Sequence, residues 1–364
     1  MTRIDLHVIE MTLKSPFVTS LGTVTTRQGI IVEVKDDRGI SGFGEAVAFS
    51  SPWYTEETVE TCFHMLKDHL APLVLNRPFE HPSELFDRMS SVRKNPMAKA
   101  AIDMAAWDLY AKGLNQPLHQ VIGGTRNEVL AGVAIGAKTP DELLSQVEAA
   151  LKDGYSRVKI KIGPDNDRER ILAIREAFPD VSILADANSA YIKNPEGLAA
   201  LDQLGLQMIE QPLSQDDLVD HADLQKQLKT PICLDESIVS YQTAKSAIKL
   251  KSCKVINVKI GRVGGLTEAI RIHDLCQEED IQIWCGGMLE FGVSRAHNIA
   301  LATLRGFSIP GDLSSSDRYW HEDITTPEVH VKKGIIKPFN GPGIGVEINN
   351  KRLEEVRIRF ESIR

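Results

Sequence analysis

The sequence predicts an α/β protein: a (β/α)8 barrel of the TIM-barrel type, with an N-terminal α+β unit set against it. Three observations carry this expectation. From about Leu130 short apolar runs alternate with amphipathic stretches, the alternation repeats eight times, and both ends of the chain read instead as strands and turns. Eight is the number of parallel strands that closes a barrel.

The N-terminal unit comes first. Gly29–Lys35 and Gly39–Ala48 read as strands on either side of Asp36-Asp37-Arg38-Gly39, a turn-rich tetrad suited to closing a hairpin. From about Thr55 to Leu114 the pattern becomes helical. Met97–Lys112 is rich in alanine with apolar residues three and four apart, and Gly113 and Pro117 stop it. The unit is expected to span residues 1–125, the barrel 126–320, and a C-terminal return that packs on the first unit 321–364.

The apolar runs of the barrel are 129–137, 157–163, 182–188, 207–213, 231–237, 255–261, 282–288 and 307–313. The first helix between them has its start and stop written out. Thr139 is the N-cap, Pro140 the first helical residue, Glu142 completes a capping box, and Gly154 lies past the end. An open doubly wound sheet is the competing fold, but no G-x-G-x-x-G follows the first run.

Composition narrows the function classes. The net charge of -8 argues against a nucleic-acid surface. No apolar run is long enough to span a bilayer, and the N-terminus has no signal-peptide core. The five cysteines, Cys62, Cys233, Cys253, Cys276 and Cys285, include no C-x-x-C pair, which suits a reducing, cytoplasmic setting. The ten histidines show no ligand spacing. The expected partners are a small carboxylate substrate and further copies of the chain in a homo-oligomer, with neither nucleic acid nor membrane.

A charged series carries the chemistry. Lys161, Asp186, Glu210, Asp235 and Lys259 fall late in the second to sixth runs, at separations of 25, 24, 25 and 24 residues. One strand–helix unit per step puts all five at a similar height, where the C-terminal ends of barrel strands line an active site. Three adjacent buried acids are costly unless a cation pairs them, and oxygen-only ligands suit Mg²⁺ or Mn²⁺. Strands two and six oppose each other, so Lys161 and Lys259 should face across the site. Lys159, on the same strand face as Lys161, is expected to lower the pKa of Lys161 as a like charge; a simple charge partner for one of the acids is the alternative, and the two roles do not exclude each other.

These motifs resemble a known family. K-I-K (159–161), L-A-D-A-N (184–188), I-E-Q-P (209–212), L-D-E-S (234–237) and N-V-K (257–259) are similar to the enolase superfamily, in its muconate-lactonising subgroup. AIDMAAWDLYAK (101–112), PLHQVIGG (117–124) and GPGIGVEI (341–348) extend the likeness over nearly the whole chain. The resemblance implies a modified (β/α)8 barrel whose capping domain is completed by the C-terminal segment. It also implies Asp186, Glu210 and Asp235 as metal ligands, Lys161 and Lys259 as the acid/base pair, and Glu236 turned away from its neighbour. The mandelate-racemase branch carries a histidine on strand seven, and 282–288 has none.

Within the subgroup, GGMLEFGVSRAHN (286–298) and PGDLSSSDRYW (310–320) resemble the o-succinylbenzoate synthase family, which also contains N-acylamino acid racemases. Ser294 stands where glycine is common there. The implied reaction is loss of water from 2-succinyl-6-hydroxy-2,4-cyclohexadiene-1-carboxylate, a step of menaquinone synthesis, with Lys161 taking the proton. Arg262 resembles an arginine of the racemase-competent branch; the alternative is an ordinary loop arginine. The resemblance further implies that a loop around Ser20–Thr25 covers the substrate and that residues near Phe49 and Tyr54 line the pocket, although these aromatics would equally suit a core. Asn188 is expected at metal-held water or substrate, or as a turn cap. Gly287 and Met288 are pocket candidates by position. Three rivals stand beside this reading: a dipeptide epimerase, a Schiff-base aldolase, which would leave the three acids unexplained, and a metal-stabilised binding protein without chemistry. For the epimerase, only Asp312 offers an acid on strand eight.

Overall fold

The computed structural model describes residues 1–19, 22–137, 139–165 and 167–364, and the side chains of these apart from 17–23. The loop expected to cover the substrate, Ser20–Thr25, centres on residues outside that set.

The N-terminal unit is built on a four-stranded antiparallel sheet. Strands β1 (Arg3–Thr19), β2 (Gly22–Lys35) and β3 (Ser41–Ala46) pair in chain order. The tetrad between β2 and β3 closes as a turn, with Asp36 Oδ1 accepting from the backbone N–H groups of Arg38 at 3.0 Å and Ile40 at 2.8 Å. Helix α1 (Pro96–Gly113) lies directly on β3. A Cβ at Gly42 would stand 2.2 Å from the Ala105 carbonyl oxygen, and one at Gly44 2.0 Å from that of Ala101. Strand glycines and helix alanines thus bring two backbones together. Helix α1 is buried around most of its circumference, so its apolar residues are not confined to one stripe. Its Asp108 accepts from the N–H groups of Phe43 and Ile344, both at 2.8 Å, and ties the C-terminal segment to the sheet.

The second body is a curled parallel sheet. Its strands are β4 (Val133–Ile135), β5 (Arg157–Lys161), β6 (Ser182–Asp186), β7 (Met208–Glu210), β8 (Ile232–Leu234), β9 (Val255–Val258) and β10 (Gln282–Cys285), in that order. Helices α2 (Pro140–Lys152), α3 (Asp167–Ala177), α4 (Leu218–Gln227), α5 (Tyr241–Leu250), α6 (Leu266–Glu278) and α7 (Gly292–Ala302) connect or follow them. Helix α2 starts on the Thr139–Glu142 capping box, with Pro140 in its first turn. Between β6 and β7 a short 3₁₀ turn, Pro195–Ala200, stands in for a helix.

The eighth run differs from the expectation. Residues 307–313 form no strand and make only two isolated bridges, Phe307 to Ile283 of β10 and Gly311 to Ala131 just before β4. Pro310 between them has no N–H to give a ladder. The run still joins the first and last strands, so the ring closes through an irregular segment rather than an eighth strand.

At the end of the chain β11 (Arg357–Ile363) pairs antiparallel with β1 and completes the first sheet. Beneath the barrel mouth Leu184, Met208, Cys233, Val255, Trp284 and Ile309 form a separate buried cluster that plugs the interior. Three of these residues lie two positions before a member of the charged series, so strand alternation stacks an apolar layer under a charged one. Among the described residues no helix is long and apolar enough to cross a membrane.

Candidate active site

All five charged residues of the series end up at strand termini. Lys161, Asp186 and Glu210 are the last residues of β5, β6 and β7, while Asp235 and Lys259 follow directly on β8 and β9. Lys161 pairs with Asp186 in strand register, and Asp186 with Glu210. Their side chains form two linked groups.

On one side are Asp186, Glu210 and two lysines. Lys161 Nζ lies 2.7 Å from Asp186 Oδ2, and Lys159 Nζ approaches the same oxygen at 2.8 Å. Lys159 also reaches Glu210 Oε2 at 2.8 Å and Asp312 Oδ2 at 2.9 Å. The two ammonium groups therefore share one carboxylate oxygen, and Lys159 also serves as a charge partner for three acids. Burial pushes the Lys159 pKa down, but the surrounding carboxylates outweigh it and hold the side chain protonated. Lys161 differs in being 56 % exposed along its side chain, its amine at the open mouth. It also hydrogen-bonds Asn188 Oδ1, and Asn188 donates to Glu236 Oε1 at 2.8 Å.

On the opposite wall Asp235 is gripped by Lys259, whose Nζ lies 2.8 Å from Oδ2, and by the Arg262 guanidinium on Oδ1. Tyr54, from the N-terminal unit, places its hydroxyl 2.8 Å from Lys259 Nζ and 3.1 Å from Arg262 Nη1. Arg262 is fully buried and also donates to the Ile238 and Asn257 carbonyls, so it is built into the wall rather than lying on a loop surface. Burial acts to lower the Lys259 pKa, yet the Asp235 charge dominates and leaves it well above the usual lysine range. Burial acts to raise the Asp235 pKa, but the charges of Arg262 and then Lys259 outweigh it and hold Asp235 far below the usual carboxylate range. Tyr54 is pushed up to about 12 by burial and by the Asp235 charge.

Other expected residues are placed as follows. Phe49 is buried, 4.5 Å from Trp53 by ring centroids, and the Arg27 guanidinium lies 4.4 Å above its ring. Met288 is buried beside Gly287, where a Cβ would come 2.3 Å from the Asp312 carbonyl oxygen. One expectation is corrected. Glu236 faces the mouth through Asn188 rather than turning away, because β8 ends at Leu234 and strict alternation ends with it.

Several residues of the site escaped the sequence reading. Arg157 Nη2 donates to Asp312 Oδ1 at 2.8 Å and fixes the acid that holds Lys159. Asn257 Nδ2 donates to Glu210 Oε1 at 2.9 Å. A Cβ on Gly286 would strike Asn257 Oδ1 at 2.2 Å and Lys259 Cε at 2.8 Å. The available signal was period two: Arg157-Lys159-Lys161 and Asn257-Lys259 each lie on one strand face.

The chemistry of the donors suits a divalent cation, although their oxygens, drawn to the surrounding lysines and Arg262, are not gathered within 4.8 Å of one another. Asp186, Glu210 and Asp235 are buried and offer only oxygen, and Glu210 Oε2 has no aligned hydrogen-bond donor despite its nearness to Lys159. Burial and the adjacent Asp186 charge raise the Glu210 pKa to about 8. Cation binding must then displace a proton at neutral pH. Affinity is expected to rise as pH increases to about 8 and to level off above it. Calorimetry at pH 7 in buffers of different ionisation heat checks this: a binding heat independent of buffer would mean no proton leaves.

Carboxylates and opposed lysines at the mouth of a parallel barrel define a class of enzyme that handles a proton beside a carboxylate. Residues 3–123 match the mandelate racemase / muconate lactonizing enzyme N-terminal domain and residues 142–352 the enolase C-terminal domain-like family. The chain belongs to this branch of the enolase superfamily. It is 56% identical to an o-succinylbenzoate synthase of Geobacillus kaustophilus over 96% of this chain and 94% of the relative. It is 45% identical to an N-succinylamino acid racemase of Thermus thermophilus, over 97% of this chain and 95% of that one. A solved enolase-superfamily member from Listeria innocua superposes with a TM-score of 0.97 at 43% identity, covering 100% of this chain and 98% of the other.

Proposed function

We infer that this chain is an o-succinylbenzoate synthase: it removes water from 2-succinyl-6-hydroxy-2,4-cyclohexadiene-1-carboxylate to give 2-succinylbenzoate, in menaquinone synthesis, in the cytoplasm. The observation that carries the reading is the asymmetry of the two lysines. Lys161 ends in an exposed amine at the mouth, while Lys259 is locked as a cation by Asp235 under the Tyr54 hydroxyl.

A proton beside a carboxylate is weakly acidic, and an amine removes it only if the resulting charge is stabilised. A divalent cation, Mg²⁺ or Mn²⁺, held by Asp186, Glu210 and Asp235 would supply that stabilisation at the substrate carboxylate. Lys161, as the neutral amine, takes the proton from the ring carbon. The carbon–oxygen bond to the ring hydroxyl then breaks, and the leaving hydroxide takes up a proton from the Lys161 ammonium on the same face. Lys259 stays protonated throughout and faces the developing negative charge from the other side. Asn188 orients Lys161, and Lys159, fixed by Asp312, balances the charge of Asp186 and Glu210. Phe49, Tyr54, Gly287 and Met288 surround the substrate.

A second activity has its own observation. Arg262 and Lys259 share Asp235, so Lys259 is positioned as a proton donor on the face opposite Lys161. A substrate that loses its proton to Lys161 and regains one from Lys259 is inverted. N-succinylamino acids are therefore expected to be racemised by the same site. In D₂O their α-proton should exchange with solvent, read by NMR, and absence of exchange removes this activity from the proposal. Comparing kcat/KM for the cyclohexadiene and for N-succinylamino acids on one preparation tests which reaction dominates; turnover of neither sinks the whole reading. The assembly is a homo-oligomer.

A further inference from the structure

Far along the chain from the barrel acids, three side chains meet on the N-terminal sheet. Asp5 and His7 project from one face of β1, and Glu33 lies opposite Asp5 on β2. Among the described residues this is the group of three acid or imidazole side chains whose ligand atoms all fall within 4.8 Å of one another. We propose that Asp5, His7 and Glu33 form a second metal site, selective for a late first-row divalent cation such as Zn²⁺, which clips β1 to β2 where the C-terminal strand β11 returns.

The imidazole points to the ligand. The His7 side chain is only 7 % exposed, its Nε2 is buried without a hydrogen-bond partner, and it faces Glu33 Oε2 at 3.8 Å. That separation is too long for a hydrogen bond. It is close to the spacing of two ligands on a tetrahedral zinc, about 3.4 Å for bonds of about 2.1 Å. The other Glu33 oxygen is already used, by Ser41 at 2.7 Å and Lys35 at 2.9 Å, so Oε2 is the one turned to His7. Asp5 accepts from Ser362 on Oδ1 at 2.6 Å and pairs with Arg3 on Oδ2 at 2.9 Å, so a cation must share one of these oxygens. Such hydrogen bonds orient carboxylate ligands in metal sites. One nitrogen and two carboxylate oxygens suit zinc better than Mg²⁺, which favours oxygen alone and keeps its waters.

The neighbours also set the cost. Arg3, Lys35 and Arg357 bring three positive charges to the group, which lowers affinity for any cation. Arg357 Nη1 lies 3.4 Å from His7 Nδ1. Arginine can only donate, so that contact favours the proton on Nε2, whereas a metal on Nε2 requires it on Nδ1. Arg357 must therefore turn aside when the metal binds. Removing it should tighten binding, the opposite of what removing a ligand does.

The test uses the full chain with saturating Mg²⁺ present to occupy the barrel acids, and Zn²⁺ alone as the probe. Equilibrium dialysis should retain about one zinc per chain, and crystals soaked in zinc should show an anomalous peak between His7 Nε2 and the two carboxylates. His7→Ala and Glu33→Gln should lose that zinc, Asp186→Asn should keep it, and Arg357→Gln should bind it several-fold more tightly. No retained zinc, a peak elsewhere, equal retention by His7→Ala, or weaker binding by Arg357→Gln would each overturn the site. If His7→Ala does not fold, the wild-type crystal and Arg357→Gln still decide.

Discussion

Lys161→Ala is expected to lower the turnover of the dehydration by a factor on the order of 10² to 10⁴, the range that a positioned base contributes. The loss should appear in kcat and kcat/KM alike, because the amine acts in the transition state and binds the ground state little. Its side chain is more than half exposed, and Asp186 keeps Lys159 as a partner. Folding stability should therefore change by under about 1 kcal/mol. Cation affinity should be retained or rise, since one positive charge leaves the acids. Steady-state kinetics with calorimetric metal titration checks all three. An active Lys161→Ala variant would mean that the proton is taken elsewhere.

Glu210→Gln is expected to abolish activity and to weaken divalent-cation binding by at least on the order of 10²-fold, because it takes one carboxylate out of the oxygen set. The amide can still accept from Asn257 at its carbonyl oxygen, so the local hydrogen bond survives. The pH dependence is a sharper readout. A carboxyl whose folded pKa is raised to about 8 binds its proton more tightly folded than unfolded. In the cation-free protein stability is thus lost as pH rises from about 4.5 to about 8, and the loss is constant above that. Glutamine has no such proton. The fall in Tm between pH 6 and pH 9 should be smaller in cation-free Glu210→Gln than in the cation-free wild type. An equal fall would show that Glu210 is not the buried acid that titrates there.

How much of this was legible in the sequence follows from strand geometry. The barrel series could be seen because each of its members interrupts an apolar run at a fixed distance from the next. Helices α1 and α2 announced themselves, one by composition and the other by its cap. Arg157, Asn257 and Asp312 were not visible in that way. Each sits in a run with other polar residues, and only the fold shows that its partner lies two positions round the barrel. The closing segment 307–313 looked like a strand because apolar content is what the two share, while Pro310 decided the outcome. The orientation of Glu236 was expected from the family resemblance, and its hydrogen bond from Asn188 shows it facing the mouth beyond the end of β8. Tyr54 could be named as a pocket residue, but its hydrogen bonds to Lys259 and Arg262 link segments more than 200 residues apart.

That hydroxyl has a further consequence. Tyr54 belongs to the sheet-and-helix cap, whereas Lys259, Asp235 and Arg262 belong to the barrel. The same seam is fastened by Glu45 of β3, which accepts from the Phe291 and Ser294 N–H groups at the start of α7, and by Arg27 of β2, which reaches the Leu289 carbonyl. A molecule whose cap has swung aside keeps every charged residue of the series but changes the electrostatic surroundings of one lysine and opens the pocket to water. The buried core, however, runs unbroken across that seam, so on warming activity and secondary structure should be lost together, in one transition.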